Sequence, residues 1–578
     1  MATAAETAKP AAAPKGLALL KMSLRNRKTG IMLIFGFSAG LPFSLLVGTL
    51  NAWLGEANVD LATIGIISWI GLAYAFKFLW SPLVDRTRLP VLGRLGRRRG
   101  WLIVCQLLLA ATFVALSMTN PALAIGTFAL VAVIGAFASA TQDVVIDAWR
   151  IDVADEIATV EILSSIYQMG FRIAALVGGA LALILSERIS WPGVYLVMGG
   201  VMALTVIATL MAPDTARPPS ELGERELREP GAIHPKIRAA GLAIVGLGWA
   251  WAIFSVASFM IQMLNVAPGD PNPPKASEFT ASTGPWIIAA TVLLPALVAT
   301  LFNWLKARGR HVLTEAQPAD SAVQRGADHA YGALLLPLAD LIGRLRWGVI
   351  IALGIVLTYR LTDSIWGPFA FPFYLTELQY SADEVAFASK IFGVFMTIAG
   401  IAIGGLMFVT VGRMPTLIFG AIIAAATNLL YADLAAGAQY IDAFANTFGL
   451  NNLGADPRMV RLMVAISGEN IAGGLAGAAY VAYLSSIASK SYSAVQYALL
   501  SSLTLLVGSL GRGALGEMID TQGYVPVFYL TAALGGIAVV FCILEWIRAS
   551  HSNRMEEARP ALVPQSDAAR VTEGDTGP

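Results

Sequence analysis

Charged residues are scarce in this chain. Asp, Glu, Lys and Arg make up 13% of its 578 residues, where an ordinary soluble domain carries about a quarter. That shortage excludes a soluble globular protein. The charges present nearly cancel, 39 Lys and Arg against 38 Asp and Glu, for a formal net charge of +1. The basic surplus that marks a nucleic-acid partner is therefore missing. Histidine is rarer still. The four present, His234, His311, His329 and His551, fall in polar stretches, so proton chemistry inside an apolar span is left to carboxylates. Cysteine occurs twice, at Cys105 and Cys542, each inside an apolar block. Neither has a partner at metal-ligand spacing, and both read as packing residues. Without a histidine, metal cluster or nucleophile triad in the apolar blocks, a membrane-embedded enzyme is disfavoured and no cofactor or metal is expected. Residues 1–29 lack the long apolar core and small-residue cleavage site of a secretory leader.

Apolar sequence is what the chain has in excess, at 56%, gathered in blocks near the roughly 20-residue length that crosses a bilayer. The expected spans are 31–53, 61–83, 100–118, 122–149, 158–185 and 191–212, then 237–264 and 284–306, then 346–375, 384–410, 414–436, 458–487, 493–519 and 525–547. This is an all-α polytopic membrane protein with about 14 transmembrane helices, grouped six, two and six. The expected domains are a cytoplasmic tail (1–30), a six-helix bundle (31–212), a linker holding the inserted pair (213–343), a second six-helix bundle (344–548) and a disordered cytoplasmic tail (549–578). The linker stretches 214–235 and 307–343 are charged and read as loops. Every second loop is basic. Residues 85–100 alone hold Arg86, Arg88, Arg94, Arg97, Arg98 and Arg99, whereas 55–60, 376–384 and 436–457 are nearly free of Lys and Arg. That parity places both termini in the cytoplasm.

The two sets of six repeat each other. Leu163-Ser164-Ser165 precedes Val177-Gly178-Gly179 in one fifth span, and Leu500-Ser501-Ser502 precedes Leu510-Gly511 in the other. Two six-helix halves related by an axis along the membrane normal mark the major facilitator fold. The stretch from Ser139 to Asp152 sets Gln142, Asp143 and Asp147 on a helix that is otherwise apolar, the two carboxylates four apart on one face. At about 1.5 Å per residue, Arg172, Arg360, Asp363, Glu469 and Asn470 fall near the middle of their spans. Lys77 lies slightly toward the cytoplasm, and Asp143 and Asp147 nearer the cytoplasmic mouth. A charge at the bilayer centre costs on the order of 3 kcal/mol, so so many imply a wet, polar interior.

Each of these groups has a plain alternative. Arg360 and Asp363 can neutralise one another, and Asp143 and Asp147 can simply hold Arg86 or Arg97. Glu469 has no basic neighbour within a turn, and taking a carboxylate out of water favours its neutral form. Glu469, Asp363 and Asp143 are therefore the proton-carrying candidates. Asp85, Arg86 and Arg97 at the basic loop, with Asp147, are candidates for a conformational latch, against simple positive-inside anchoring. Gly36/Gly40, Gly400/Gly404 and Gly473/Gly477 are spaced for close helix packing.

Gly36 to Pro42, Phe76 to Pro82, Ser139 to Trp149, Tyr359 to Asp363, Glu469 to Gly474 and Lys490 to Ser501 resemble the AmpG-type muropeptide permeases of the major facilitator superfamily. The resemblance covers both halves and leaves out the inserted pair. It implies a monomeric, multi-pass protein of the bacterial inner membrane. Such a protein imports N-acetylglucosaminyl-1,6-anhydro-N-acetylmuramyl peptides for cell-wall recycling, driven by the proton gradient, with an indirect role in β-lactamase induction. For so large an anionic ligand, Lys77, Arg172 and Arg360 are suited to carboxylates. Gln142, Gln168, Asn470 and Gln496 suit acetamides and hydroxyls, and Tyr167, Tyr359, Trp366 and Tyr483 suit sugar faces. A carrier of another amphiphilic anion such as acetyl-CoA, a drug exporter and a non-transporting receptor are the alternatives, because substrate does not follow from fold.

Overall fold

The computed structural model describes residues 16–57, 70–214, 227–264, 274–316, 322–361, 369–454 and 456–557. Among these residues the regular structure is helical, apart from one isolated antiparallel bridge between Ile233 and Val312. Among the described residues ten helical runs are long and apolar enough to cross a bilayer. The first half comprises α1 (Leu17–Leu24), α2 (Arg27–Glu56), α3 (Arg97–Ser117), α4 (Ile125–Val153), α5 (Val160–Ala175) and α6 (Ala182–Met211), which turns back at Ser190. The inserted pair is α7 (Pro235–Leu264) and α8 (Leu294–Ala307). Then follow α9 (Ala322–Leu334), α10 (Leu336–Leu345), α11 (Gly348–Thr358), α12 (Gly393–Thr410) and α13 (Arg413–Ala435). The chain continues through α14 (Gln439–Thr447), α15 (Pro457–Ile487), α16 (Ser493–Gln522) and α17 (Tyr524–Glu557). Parts of the expected second and seventh spans, 58–69 and 362–368, lie outside the described residues. The rest of the second is broken into Ile70–Ala75, the turn Lys77–Leu79 and Ser81–Arg86.

Polar residues at the ends of apolar runs start the helices. Asn26 accepts from the Lys28 amide, Thr159 from Ile162, and Asp456 from Arg458 with Pro457 in the first turn, each satisfying an amide that the helix cannot. The lateral packing repeats between halves, α3 against α6 as α13 against α17.

Glycines set the closest approaches. A Cβ on Gly36 would overlap the Tyr167 carbonyl, and one on Gly170 the Leu33 carbonyl, so α2 and α5 touch backbone to backbone. On the other side Gly400 meets the Ile471 carbonyl and Gly474 the Thr397 carbonyl, which joins α12 to α15. The expected Gly473 has open space beside it. Its neighbour Gly474 makes the contact, because one residue of helix turns the side-chain direction by more than a quarter turn.

The stretch 307–343 is not all loop. It holds α9 and α10, and Leu338, Leu341 and Leu345 of α10 are buried while Asp340 and Arg344 are more exposed. An amphipathic helix hides among charges when only composition is counted. The axis bends by 107° between α10 and α11, at Arg346 in the left-handed region (φ 52°). At the C-terminus α17 carries the helix past the expected end of its span to Glu557, and α1 places a helix in the expected N-terminal tail.

The backbone contact at Gly170 makes a direct expectation. Gly170→Ala should lower the thermal midpoint of the detergent-purified protein, with a loss of about 1–3 kcal/mol from overpacking. Gly200→Ala, on open helix surface, should leave the midpoint unchanged or raise it slightly; an equal loss from both would remove the packing explanation.

Candidate functional site

Groups from both halves converge over a glycine of α15. A Cβ on Gly477 would lie 3.3 Å from Gln168 Nε2 and 3.4 Å from Arg360 Nη1, so the amide of α5 and the guanidinium just beyond α11 share the space a side chain would fill. Arg360 also donates to the Gly473 carbonyl at 3.3 Å. Arg172 is half-buried one turn along α5 from Gln168. Glu469 accepts from the Tyr431 hydroxyl, which is itself 2.7 Å from the Tyr374 hydroxyl. Asn470 accepts from Thr397 at 2.8 Å and donates to the Ile466 carbonyl at 2.9 Å. Tyr359 is buried, stacks on Tyr480 at 5.3 Å and donates to the Leu417 carbonyl at 2.9 Å, so it braces the Arg360 turn. Asp363 and Trp366 lie outside the described residues.

A second group sits where the broken 70–86 segment meets α4. Lys77 donates to Asp143 and lies 3.6 Å from Asp147. The Tyr167 hydroxyl donates to the other oxygen of Asp143 at 2.8 Å. Asp147 pairs with Arg150 at 2.9 Å. The two aspartates thus hold Lys77 and Arg150, where the sequence suggested Arg86 or Arg97. Lys77 is too far along the chain for spacing to have linked it to them.

Three expected ligand-binding residues are turned elsewhere. Gln142 is wholly buried against α2, donating to the Ser38 carbonyl at 2.7 Å. Gln496 accepts from Arg344 at 3.1 Å and donates to the Pro337 carbonyl at 2.7 Å, so it anchors α10 to α16. Tyr483 is 1% exposed inside the apolar core of the second half. A helical wheel cannot tell a core-facing amide from a cavity-facing one in a span buried all round.

The arginine-rich end of the bundle is closed. Arg98 is 1% exposed and bonds Asp85 at 2.8 Å, Asp152 at 3.1 Å and Ser493 at 3.0 Å. Ser493, from the second half, donates to Asp152 at 2.9 Å. Arg150 reaches across to Ser485 at 3.1 Å, and Lys490 to the Ala154 carbonyl at 3.2 Å. Arg413 pairs with Glu161 at 3.4 Å. Arg97 plays the lesser part, donating to the Asp85 carbonyl and standing 4.0 Å from the carboxylates of Asp85 and Asp152. The Arg86 side chain is outside the described set. Sequence reading missed Arg98 and Asp152, because a run of three arginines gives no reason to choose the middle one. It missed Arg150, which lies beside the singled-out Asp147 but was given no role.

Asp155 closes the α4–α5 turn at this end. Burial pushes its carboxyl up, but hydrogen bonds from Lys28 and the amides of Ala158 and Ile157 outweigh burial and hold it below the usual aspartate range. Its contribution is therefore present at neutral pH and is lost only as pH falls through that lowered value.

Residues 32–316 match the family model of the Major Facilitator Superfamily. The chain is 29% identical over 545 residues to the anhydromuropeptide permease of Escherichia coli (strain K12), covering 92% of this chain and 84% of that one. It is 26% identical over 503 residues to the putative transporter AmpG 4 of Rickettsia conorii, covering 87% and 92%. Among solved structures, the human organic anion transporter MFSD10 superposes with a TM-score of 0.52 at 12% identity, covering 89% of this chain and 99% of that one. The proton:xylose symporter XylE gives 0.50 at 12% identity, covering 90% and 94%. At that identity the two structures show the fold alone.

The closed end makes its own expectation. Arg98 donates to Ser493 across the seam at 3.0 Å and holds Asp152, which accepts from the same hydroxyl. A hydrogen bond from a charged group is worth about 1.5–3 kcal/mol, so Arg98→Ala should shift the balance toward opening. A Ser165→Cys probe, placed where Ser165 packs on Gly405 across the seam, in a background without Cys105 and Cys542, should then react with maleimide about tenfold faster or more. Unchanged labelling with normally folded protein would show that Arg98 does not hold this end shut.

Proposed function

We propose that this chain, which belongs to the AmpG-type family of the major facilitator superfamily, imports anhydro-muropeptides from the periplasm to the cytoplasm in symport with protons. It is a multi-pass membrane transporter and not an enzyme. The reading places it in the bacterial inner membrane as a monomer with both termini in the cytoplasm, serving cell-wall recycling and, through the peptides it delivers, β-lactamase induction. Its main support is the likeness to the Escherichia coli anhydromuropeptide permease along nearly the whole of both chains.

The central groups suit such a ligand. Arg360 and Arg172 are fixed cations for stem-peptide carboxylates, and Gln168 and Asn470 offer amides to acetamido groups. Glu469, Asp143 and Asp363 are the carboxylates proposed to carry the proton. With the arginine-rich end taken as cytoplasmic, the closed network of Arg98, Asp85, Asp152 and Ser493 belongs to a state that receives substrate from the periplasm. Rocking of one half against the other about the midplane would then deliver it.

Uptake of a labelled anhydro-muropeptide into vesicles holding the purified protein tests this. An inward proton gradient should raise accumulation several-fold over the gradient-free level. Binding or exchange without that stimulation would keep the substrate and remove the proton coupling. No interaction at all would remove the substrate.

A further inference from the structure

Four charges lie together at the edge of the central site, two cations and two anions, and they are not equivalent. Arg150 is wholly buried. It is held by Asp147, by Ser485 across the seam, and between the rings of Tyr167 and Tyr497, 5.0 Å from each centroid. That clasp holds Arg150 from three elements through Nε, Nη2 and both ring faces, and leaves only its buried Nη1 without a hydrogen-bond partner. Lys77 and Asp143 form the looser pair. The Asp143 side chain is 19% exposed, against 6% for Lys77, 4% for Asp147 and 0% for Arg150. Asp143 is thus the member of the group that solvent and solute can reach.

The group is neutral as it stands. A further carboxylate arriving at Lys77 would leave it one negative charge out of balance, in an interior where an unpaired charge is costly. One proton on Asp143 restores the balance and frees the Lys77 ammonium in the same step. The other ionisable groups facing the pair are Asp147 and Arg150 of α4, Tyr167 of α5, Tyr497 of α16 and Tyr74 of the broken segment. Phenols and guanidinium groups keep their protons across neutral pH. Asp147 keeps Arg150 as its ion-pair partner at 2.9 Å, so Asp143 is the carboxylate that loses its cation when Lys77 moves.

We infer that Lys77 exchanges Asp143 for a carboxylate of the substrate, and that the exchange requires a proton on Asp143. This rests on the reading of the chain as a proton-coupled importer of anionic muropeptides. On the loading side, the proton adds to Asp143, Lys77 leaves it, and Lys77 pairs with the incoming carboxylate. On the releasing side Asp143 gives the proton up, recaptures Lys77 and displaces the substrate. One proton accompanies each carboxylate bound at this site, and Tyr167, bonded to Asp143, positions that carboxylate.

Calorimetric titration of the full-length protein with an anhydro-muropeptide, in two buffers of different ionisation enthalpy, reads the protons taken up per ligand. The unsubstituted protein should take up about one proton at alkaline pH and fewer as pH falls, since the site is then already protonated. Asp143→Asn should take up none, and its affinity should no longer depend on pH. Asp143→Glu should keep the uptake, which guards against a folding defect in the asparagine variant. Lys77→Met should weaken binding about tenfold or more for the natural ligand, and not for the same ligand with its carboxylates amidated. Binding without proton uptake by the unsubstituted protein, or uptake that persists in folded Asp143→Asn, would overturn the inference and leave the proposed substrate standing. Absence of binding by the unsubstituted protein would instead strike the substrate itself.

Discussion

No charge can stay unpaired inside a bilayer, and that constraint shapes the interior of this protein. Lipid tails are as apolar as leucine, so burial alone does not draw one span to another. Polar links and close packing must do it. Lys77 on the broken segment reaches Asp143 on α4, and Arg98 on α3 reaches Asp152 at the end of α4. Each pair joins different elements, so satisfying the charges also fixes where the helices sit. It follows that the elements cannot move apart without a new partner for every charge they expose. A proton, a substrate carboxylate and water are the partners available to a transporter.

The contacts inside a half and the contacts between halves differ in kind. Within a half, Gly36 and Gly170 bring two backbones together, as do Gly400 and Gly474. Such an approach has no side chain that can swing aside, and it makes each half stiff. Across the seam at the arginine-rich end most links run through hydroxyls and carbonyls, Ser493 to Asp152, Arg150 to Ser485 and Lys490 to the Ala154 carbonyl, beside the partly exposed ion pair Arg413–Glu161. A hydroxyl partner can be exchanged for water at little loss, because a single hydrogen bond nets only about 1 kcal/mol. Rigid halves with a separable seam are what alternating access needs. The carboxylates that hold Arg98, Asp85 and Asp152, come from its own half, so the arginine stays paired if Ser493 leaves.

The fold was legible because its signals are long-range in composition. Blocks of about 20 apolar residues and alternate basic loops survive any local ambiguity. The site was legible only in part. Asp143, Lys77, Gln168 and Arg360 stood out because a charge or amide at such depth needs a reason. Gln142 and Gln496 stood out equally and turned out to bind backbone carbonyls, since depth says nothing of rotation about the helix axis. Arg98 was hidden for the opposite reason, lying in an arginine-rich stretch where any one residue looks like an anchor. Amphipathic α10 was hidden by its charges, and only the pattern of Leu338, Leu341 and Leu345 could have revealed it.

The inserted pair has a physical connection to the charge cluster that its place in the chain conceals. Lys77 sits at a break, between the helix ending at Ala75 and the one beginning at Ser81. A break inside a bilayer frees backbone groups that lipid cannot satisfy. Part of that need is met locally, by the Ser81 hydroxyl on the Phe78 carbonyl at 3.0 Å and the Leu79 amide on the Phe76 carbonyl at 3.0 Å. The remainder is a matter of cover. Trp249 of α7 packs edge-on against Phe78 with ring centroids 6.2 Å apart, and both side chains are buried. The α7 helix therefore shields the very turn that carries Lys77. α16 and α4 pack on the same turn, so α7 completes a cover without which a continuous helix would be the cheaper structure. A continuous helix would point residue 77 in a different direction, so the insertion stabilises the backbone irregularity on which the Lys77–Asp143 pair depends.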